Sequence, residues 1–217
     1  MEQLKEYAAQ FNIQLTDDQL ILFEKYYNFL IKYNQKVNLT AITQKDDVII
    51  KHFLDSIILL NFFRLKTNSK LIDIGTGAGF PGVPLKIVRP DLDIVLLDAR
   101  NKKIEFLNQL LDLLNLSGRA VHASAQELVK KQGFLHNFDI IVSRAALSIT
   151  NFVKFSAGFL KPGGMMVAYK GFDIEEELKA AELTFKKAKL LVYVLHKFEL
   201  PNQNKRSLLL LKKEERR

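Results

Sequence analysis

Short apolar runs alternate with segments of helical periodicity from Lys70 onwards. Five of these runs are predicted as strands: Lys70–Ile74, Asp93–Asp98, Arg119–Ala123, Asp139–Ser143 and Met165–Lys170. Helices are predicted near Pro81–Val88, Lys102–Leu114 and Ile149–Leu160, and around Ile174, Leu178, Ala181 and Phe185, which share one helical face. Strands that alternate with helices form a parallel sheet with helices on both faces. We therefore predict a doubly wound α/β fold.

The last two apolar runs have no helix between them. Leu190–Leu195 and Ser207–Leu211 are joined only by the polar loop Pro201–Arg206. Strands joined by a short loop are antiparallel neighbours, whereas parallel strands need a longer crossover. The sheet should therefore have seven strands, mostly parallel, and end in a C-terminal antiparallel hairpin.

The residues before this alternation are predicted to form helices. Thr16 and Gln19 have capping-box spacing, and apolar residues follow at helical intervals. A polar turn is predicted for residues 43–47, and a second apolar helical stripe begins at Phe53. We expect an N-terminal helical region at 1–67, followed by a ligand-binding domain at 68–217.

The amino-acid composition excludes several kinds of functional site. The 217 residues include no cysteine, which excludes thiolate metal sites and cysteine nucleophiles and is typical of a reducing compartment. Four scattered histidines predict no metal site. No apolar run approaches the roughly 20 residues of a membrane span, so we expect a cytoplasmic protein that binds no membrane. The net charge of +8 favours a polyanionic partner.

A glycine-rich loop follows the first predicted strand. Gly75, Gly77 and Gly79 alternate with other residues, and Asp73 precedes them. Glycine permits a tight turn and lets a ligand lie close to the backbone. The spacing differs from the Gly-x-Gly-x-x-Gly of dinucleotide sites, and Asp73 could bind a cationic amino group. The alternative is a sharp turn that binds no ligand.

Two further loops should lie beside this one. Asp98 ends the second strand, about 20 residues after the glycine loop, where an acid accepts hydrogen bonds from ribose hydroxyls. Ala125 and Gln126 follow the third strand and could flank an adenine ring. Alone, Asp98 would be interpreted as a solvated aspartate at a strand end.

The fourth strand ends in Ser143-Arg144-Ala145. In nucleoside methyltransferases this position faces the reacting methyl group, and enzymes acting on exocyclic amines follow it with two prolines and an aromatic residue, which are missing here. Methylation of pyrimidine carbon-5 commonly uses a cysteine. A remaining acceptor is guanine N7, whose lone pair needs alignment rather than a base. Arg144 could instead be a salt-bridging surface residue. Lys170 and Gly171 should lie on the same rim.

His52 and Asp55 are candidates from the helical region. They lie three residues apart on one predicted helical face, and Ser56 follows one turn after His52. A contact with RNA or cofactor is one interpretation. The alternative is a structural histidine that Asp55 orients.

Together these segments resemble the small-subunit ribosomal RNA guanine-N7 methyltransferases of the RsmG family, also called glucose-inhibited division protein B. The resemblance covers nearly the whole chain and rests on five segments: Asn38-Leu39-Thr40-Ala41-Ile42, His52-x-x-Asp55-Ser56, residues 73–85, Ser143-Arg144-Ala145 and Lys170-Gly171. The residues Phe80-Pro81-Gly82-Val83-Pro84-Leu85 are more specific than the glycine loop itself.

The resemblance implies a class I methyltransferase sheet, S-adenosyl-L-methionine as cofactor, and 16S ribosomal RNA, within the 30S subunit, as substrate. By position, the cofactor would contact Gly75, Gly77, Phe80, Asp98, Ala125, Gln126 and Arg144. Arg144 and Lys170 would act at the transfer point, and the RNA would contact Asn38, His52 and Asp55. Gln126 stands where the family usually has Glu.

Three alternatives stay open at this stage. A methyltransferase of a small molecule or of another RNA would have the same loop. A catalytically silent RNA-binding assembly factor could retain the fold. A nicotinamide-dependent oxidoreductase is disfavoured by the glycine spacing. We expect a monomer.

Overall fold

The computed structural model describes residues 1–128, 132–144 and 147–215, without the side chain of Gln132. The strands are β1 Lys70–Ile74, β2 Asp93–Asp98, β3 Arg119–His122, β4 Phe138–Arg144, β5 Leu160–Lys170, β6 Leu190–Leu200 and β7 Asn204–Lys213. The α-helices are α1 Glu2–Gln10, α2 Asp17–Asn34, α3 Lys45–Val48, α4 Asp55–Ile57, α5 Leu59–Phe62, α6 Gly82–Val88, α7 Asn101–Leu113, α8 Ala125–Leu128, α9 Ile149–Ser156 and α10 Glu175–Ala188. A π-helix spans Ile49–Leu54, and short 3-10 helices span Gln132–Phe134 and Ala157–Phe159.

The seven strands form one sheet in the order β3-β2-β1-β4-β5-β7-β6. The pairs among β1 to β5 are parallel, and β7 lies antiparallel between β5 and β6. This arrangement confirms the predicted doubly wound sheet with a C-terminal antiparallel hairpin. The carboxyl ends of β1, β2, β4 and β5 therefore meet at one edge, where the loops after them can form a common site.

Side chains of each strand alternate between two hydrophobic cores, because successive residues of a strand point to opposite faces. Leu71 packs in a core with the N-terminal helices, α6 and α7, whereas Ile72 packs in a second core with α8, α9 and α10. Helices thus cover both faces of the sheet. None of the helices in the described ranges has the length and apolar content needed to cross a membrane.

The N-terminal helices occupy Glu2 to Phe62 and pack in the same core as one face of the sheet. At the start of α2, the Thr16 hydroxyl accepts from the Gln19 amide and the Gln19 side chain accepts from the Thr16 amide, which confirms the predicted capping box. The turn predicted for residues 43–47 is wrong in part: α3 begins at Lys45, because Val48 must bury its side chain in the core. The division at 67 and 68 stays a prediction.

The fifth strand differs from its prediction. It begins at Leu160 rather than Met165, so the helix predicted to end at Leu160 ends at Ser156 and is followed by a 3-10 turn. Leu160 pairs with Phe138, and a bulge separates this pair from the pairing of Ile140 with Met165. A bulge accommodates Pro162, Gly163 and Gly164, which lie between these two pairings.

The C-terminal hairpin is also longer than predicted. Backbone pairing of β6 with β7 continues to Leu200 and Asn204, so the predicted loop Pro201–Arg206 is reduced to a turn of residues 201–203. Polar residues near the turn hid this extension, because pairing in a hairpin depends on the backbone and does not require a buried face.

Candidate active site

The loop after β1 holds three glycines in left-handed conformations, with φ of 69° at Gly75, 63° at Gly77 and 97° at Gly79. Their surroundings differ. A Cβ at Gly79 would lie 2.8 Å from the Tyr26 hydroxyl, whereas one at Gly77 would meet only the Lys103 ammonium at 3.6 Å and the Gly75 carbonyl at 4.0 Å. Gly79 therefore allows close packing of protein on protein, and Gly77 leaves one side of the loop open to a ligand.

Asp73 lies beneath this loop and is fully buried. Its Oδ2 accepts hydrogen bonds from the Thr76 hydroxyl at 2.7 Å and the Gly82 amide at 2.8 Å, which tie β1 to the start of α6. Its Oδ1 is buried without a hydrogen-bond partner among the described residues. Burial raises the pKa of this carboxyl to about 7. A donor group, and a cationic one above all, would satisfy the free oxygen and stabilise the charged form.

Asp98, at the end of β2, fixes the loop from the other side. Its carboxylate accepts from the Gly77 amide at 2.9 Å and from the Arg100 amide at 3.0 Å, with the Lys103 ammonium at 3.4 Å. The residue is mostly buried. The acid thus holds the open glycine in place and stands at the tip of its strand.

Phe80 forms the centre of a stack that joins the loop to the helical region. The ring of His52 lies on Phe80 at 4.5 Å between centroids, with 20° between the planes, and Tyr26 stacks on it at 5.3 Å. The guanidinium carbon of Arg144 lies 4.8 Å from the Phe80 centroid. The Tyr26 hydroxyl donates to the Ala78 carbonyl, so the same tyrosine also binds the loop backbone.

Arg144 connects the end of β4 to the π-helix. Its Nη1 donates to the carbonyls of Lys51 at 2.9 Å and His52 at 3.3 Å, and to Oδ2 of Asp55 at 3.3 Å. Its Nη2 lies 3.1 Å from Nδ1 of His52. Arginine has donors only, so the contact with Arg144 makes Nδ1 the acceptor and places the ring proton on Nε2, although Nδ1 also lies 3.2 Å from the Lys51 carbonyl. The interpretation of Arg144 as an ordinary surface ion pair is therefore wrong, because its side chain is only 13% exposed and makes four directed contacts.

His52 is a neutral ring in this arrangement. Its Nε2 lies 2.9 Å from the Thr40 hydroxyl, which accepts the ring proton. Burial, with the nearby charge of Arg144 as a second cause, lowers the pKa of His52 to about 3. The Asn34 side chain holds the segment that carries Thr40, since its Oδ1 accepts from the amides of Leu39 and Thr40 at 2.7 and 3.0 Å.

Asp55 lies between two arginines. Its Oδ2 contacts Arg144, and its Oδ1 lies 3.7 Å from Nε of Arg206 on β7. Burial raises the pKa of Asp55, and the two guanidinium groups oppose that shift. The Tyr169 hydroxyl donates to the Ser56 carbonyl at 2.8 Å. The helical region is thus bound to β4, β5 and β7 through polar contacts at this edge of the sheet.

Lys170, at the end of β5, is largely buried and paired. Its ammonium donates to the Leu147 carbonyl at 2.8 Å and lies 2.8 Å from the Glu177 carboxylate on α10. Its charge is therefore balanced within the protein, and its side chain is held in one position.

A cavity of about 620 Å³ opens at this edge. It brings together seven of the predicted residues: His52, Asp55, Gly75, Gly77, Phe80, Arg144 and Lys170. The other predicted residues lie outside its lining: Asp98, Ala125 and Gln126 follow the neighbouring strands β2 and β3, and Asn38 is exposed. Ala145 falls outside the described residues.

Sequence reasoning missed several residues of the cavity wall. Thr40 belongs to the same segment as Asn38, the residue that is predicted to contact the RNA. Arg206 and Glu177 also line the cavity. Arg206 stands in a hairpin that was interpreted as a polar loop, and Glu177 is one of three consecutive acids that open α10. The register of β7 against β5 would have been the signal for Arg206.

A family model described as "GidB: rRNA small subunit methyltransferase G" matches residues 19–208. The chain belongs to this family. Ribosomal RNA small subunit methyltransferase G of Desulforamulus reducens is 38% identical over 212 residues, covering 97% of this chain and 88% of the relative. The protein of the same name from Lachnoclostridium phytofermentans is 45% identical over 171 residues, covering 78% and 71%. Both matches confirm the family predicted from the motifs.

A solved structure at low sequence identity shows the same fold. A predicted O-methyltransferase from Agrobacterium tumefaciens aligns with a TM-score of 0.60 at 14% identity, covering 76% of this chain and 80% of that one. At this identity the likeness concerns the fold alone, and it agrees with a class I methyltransferase sheet. The family model, and not this structural likeness, assigns the chain to its family, because the model spans the helices from α2 onwards as well as the sheet.

Proposed function

We propose that this chain transfers a methyl group from S-adenosyl-L-methionine to N7 of a guanine in 16S ribosomal RNA. The observation that carries the proposal is the family match over residues 19–208, which includes the glycine loop and the cavity-lining residues of β4, β5 and β7. The name of the family specifies methylation of small-subunit ribosomal RNA. N7 as the acceptor rests on the chemistry of the site.

The residues around the loop suit the proposed cofactor. Gly75, Gly77 and Phe80 would hold its methionine end, and the free Oδ1 of Asp73 is suited to its cationic amino group. Asp98 would accept from the ribose hydroxyls, and Ala125 and Gln126 would flank the adenine. When bound, S-adenosyl-L-methionine supplies an activated methyl group on a sulfonium. The open side of Gly77 and the unpaired Oδ1 are the features that support this fit.

Methylation of guanine N7 requires little acid–base catalysis from the protein. The nitrogen carries a lone pair and no proton, so alignment with the methyl group is the main requirement. His52 is neutral with a pKa of about 3, and Asp55 is held by two arginines, so neither is arranged as a base at neutral pH. Arg144 would position the His52–Phe80 wall. Lys170, whose charge is paired with Glu177, would act as a fixed donor at the rim.

The charge balance at the transfer point also suits this acceptor. Methylation of N7 leaves the guanine with additional positive charge, so an unpaired cation above the ring would oppose the product. Arg144 lies over the Phe80 ring and forms an ion pair with Asp55, and Lys170 forms an ion pair with Glu177. Their charges are therefore offset before substrate binds. His52 and Asp55 would contact the RNA only at the cavity wall, and Asn38 would contact it from the exposed surface.

The net charge of +8 supports a ribosomal RNA partner, and the proposal places the reaction in the cytoplasm on the 30S subunit with the protein acting as a monomer. The test is transfer of a tritiated methyl group to 30S subunits that lack the modification, followed by digestion and mass spectrometry. We expect label in 7-methylguanosine. Label in another nucleoside would contradict the N7 acceptor, and binding without transfer would indicate an assembly factor instead.

A further inference from the structure

The end of the β6–β7 hairpin extends past the end of β5. Lys170, the last residue of β5, pairs with Ser207, so Asn204, Lys205 and Arg206 of β7 pair only with β6. The Ser207 hydroxyl donates to the Gly171 carbonyl at 2.6 Å and fixes the hairpin at this point. The extension therefore stands beside the cavity, at the edge of the sheet where the glycine loop lies.

The two faces of this extension contact different parts of the protein. Arg206 points to the helical region, where it reaches Asp55. Lys205 precedes it in the strand and points to the opposite face. There its ammonium lies 5.5 Å from the centroid of Phe172, and the ammonium of Lys197 on β6 lies 4.5 Å from the same centroid. Phe172 follows Lys170-Gly171 directly.

These two lysines are available to an anion. Both are exposed, and no carboxylate in the described ranges lies within ion-pair distance of Lys205. Lys197 pairs with Glu175, whose side chain is 61% exposed. An exposed ion pair contributes at most about 1 kcal/mol, so a phosphate can replace it. The Phe172 ring holds both ammonium groups near one point, which lowers the entropy lost when they bind together.

We infer that Phe172, Lys197 and Lys205, here called the hairpin surface, bind the phosphodiester backbone of the RNA next to the nucleotide that enters the cavity. The inference rests on the proposed function, since it needs RNA as the substrate. Its geometric support is that Phe172 follows the rim residues Lys170 and Gly171, and that Arg206, next to Lys205, lines the cavity itself.

A second lysine-rich groove, of about 1580 Å³, lies at the opposite edge of the sheet. Lys154, Lys187 and Lys212 line it, but so do Glu214 and Glu215. It adjoins the start of β6 and the end of β7, away from the glycine loop, so phosphates that flank a nucleotide in the cavity do not reach it. Its exposed lysines supply a matched control, because Lys154 also lies over a phenylalanine ring, at 5.7 Å from Phe155.

The test compares two double variants, Lys197→Ala/Lys205→Ala and the control Lys154→Ala/Lys187→Ala. Binding to unmodified 30S subunits is measured from about 50 to 200 mM monovalent salt at constant magnesium, with methyl transfer and S-adenosyl-L-methionine affinity measured alongside. Each lost phosphate contact should reduce the salt slope by about 0.7 to 0.9. We expect the hairpin variant to lose about 1.5 in slope and to raise KM roughly tenfold near 150 mM salt, with cofactor affinity and kcat unchanged.

A second test replaces Phe172 with leucine or with tryptophan. Phe172→Leu keeps an apolar side chain but removes the ring face, and should raise KM about two- to fivefold, the usual size of an exposed cation–π contact. Phe172→Trp should restore the wild-type KM. A purely structural role would instead appear as a loss of thermal stability that the tryptophan does not repair.

The outcomes separate this inference from the proposed function. If the wild-type chain methylates 30S subunits and the hairpin double variant keeps the wild-type KM and salt slope, the hairpin surface is wrong and the enzyme stands. A larger effect of the control variant would assign the RNA backbone to the opposite groove. If the wild-type chain neither binds nor methylates 30S subunits, both proposals fall together.

Discussion

The carboxylate of Asp98 accepts a hydrogen bond from the backbone amide of Gly77, with 2.9 Å between the two atoms. This bond joins the end of β2 to the open glycine of the loop after β1. Asp98, which is predicted to bind ribose hydroxyls, therefore also stabilises the loop that would hold the cofactor. Replacing it should affect both the ligand contact and the shape of the loop.

Asp98→Ala should weaken S-adenosyl-L-methionine binding about ten- to a hundredfold. The change removes a charged acceptor, and such hydrogen bonds contribute about 1.5–3 kcal/mol. Calorimetric titration measures the dissociation constant, and Asp93→Ala at the exposed start of the same strand is the control. An unchanged dissociation constant in a folded Asp98→Ala variant would remove Asp98 from the cofactor site.

Two glycines of one segment should have separable roles. Gly77→Val should nearly abolish cofactor binding, because its side chain would occupy the open side of the loop in a backbone with φ of 63°. Gly82→Ala should mainly destabilise the fold, by about 1–3 kcal/mol, because its Cβ would lie 2.5 Å from Leu96 and 2.9 Å from Oδ2 of Asp73. Urea denaturation and calorimetry distinguish the two. Normal binding by a folded Gly77→Val variant would reduce the loop to a simple turn.

Two buried groups should give the free energy of unfolding opposite pH dependences. Burial raises the pKa of Asp73 from 3.8 to about 7, so the unfolded chain loses a proton that the folded chain keeps, and this contribution falls as pH rises from about 4 to 7. Burial lowers the pKa of His52 from 6.5 to about 3, so its contribution falls as pH drops from about 6.5 to 3. Between about pH 4 and 6.5 the two slopes oppose each other.

Single variants should reveal these slopes. Relative to wild type, Asp73→Asn should make the free energy of unfolding increase more steeply with pH in that window, by up to about 1.4 kcal/mol per unit. His52→Gln should change the slope in the opposite direction. Urea denaturation at pH 4.5, 5.5 and 6.5 measures both. Each difference from wild type isolates one residue, since Asp55 is common to all three proteins. Parallel curves for all three would show that neither group titrates as its burial requires.

The methyl-transfer rate should be nearly flat from pH 6 to 8.5. Guanine N7 loses no proton before attack, and His52, with its pKa of about 3, stays neutral throughout that range. Asp73, whose pKa is about 7 in the free protein, should stay ionised beside the cationic amino group of the bound cofactor. The measurement is a single-turnover rate on 30S subunits at saturating cofactor. A rate that rises tenfold per pH unit would indicate a general base and contradict an N7 acceptor.

Arg144→Lys should lower that rate although it keeps the charge. A lysine ammonium cannot contact the Lys51 and His52 carbonyls, Asp55 and Nδ1 of His52 together, because it lacks the planar fork of donors. The wall formed by His52 and Phe80 would then be misplaced. Cofactor affinity and thermal stability, measured with the same preparation, show whether the loss is confined to positioning. A fully active Arg144→Ala variant would remove Arg144 from the site.

The sequence predicted those parts of the fold that depend on local patterns. β1 and β2 have the predicted bounds, because their apolar runs end at a glycine loop and at an acid. β5 begins earlier than predicted, because Pro162, Gly163 and Gly164 interrupt its apolar pattern while a bulge keeps its backbone paired. Local propensity cannot show pairing that another strand imposes.

The sequence predicted that the loops after the strands share one rim, but not how the helical region joins them. His52 and Arg144 were each expected at the site, but they are 92 positions apart, and periodicity gives no contact at that separation. The π-helix that carries His52 has no signal in the apolar pattern. Arg206 was missed for a related reason, because only the register of β7 brings it to Asp55.

The last of the seven strands in chain order, β7, lies inside the sheet between β5 and β6. A nascent chain that extends only to the end of β6 therefore has no strand paired with that side of β5. That chain also lacks Arg206, and so one of the two cations that hold Asp55. Completion of the cavity is thus a late event in synthesis, and a product that stops before β7 would have an exposed strand edge and an incomplete site. Such a fragment is more prone to aggregate than to act as a slow enzyme.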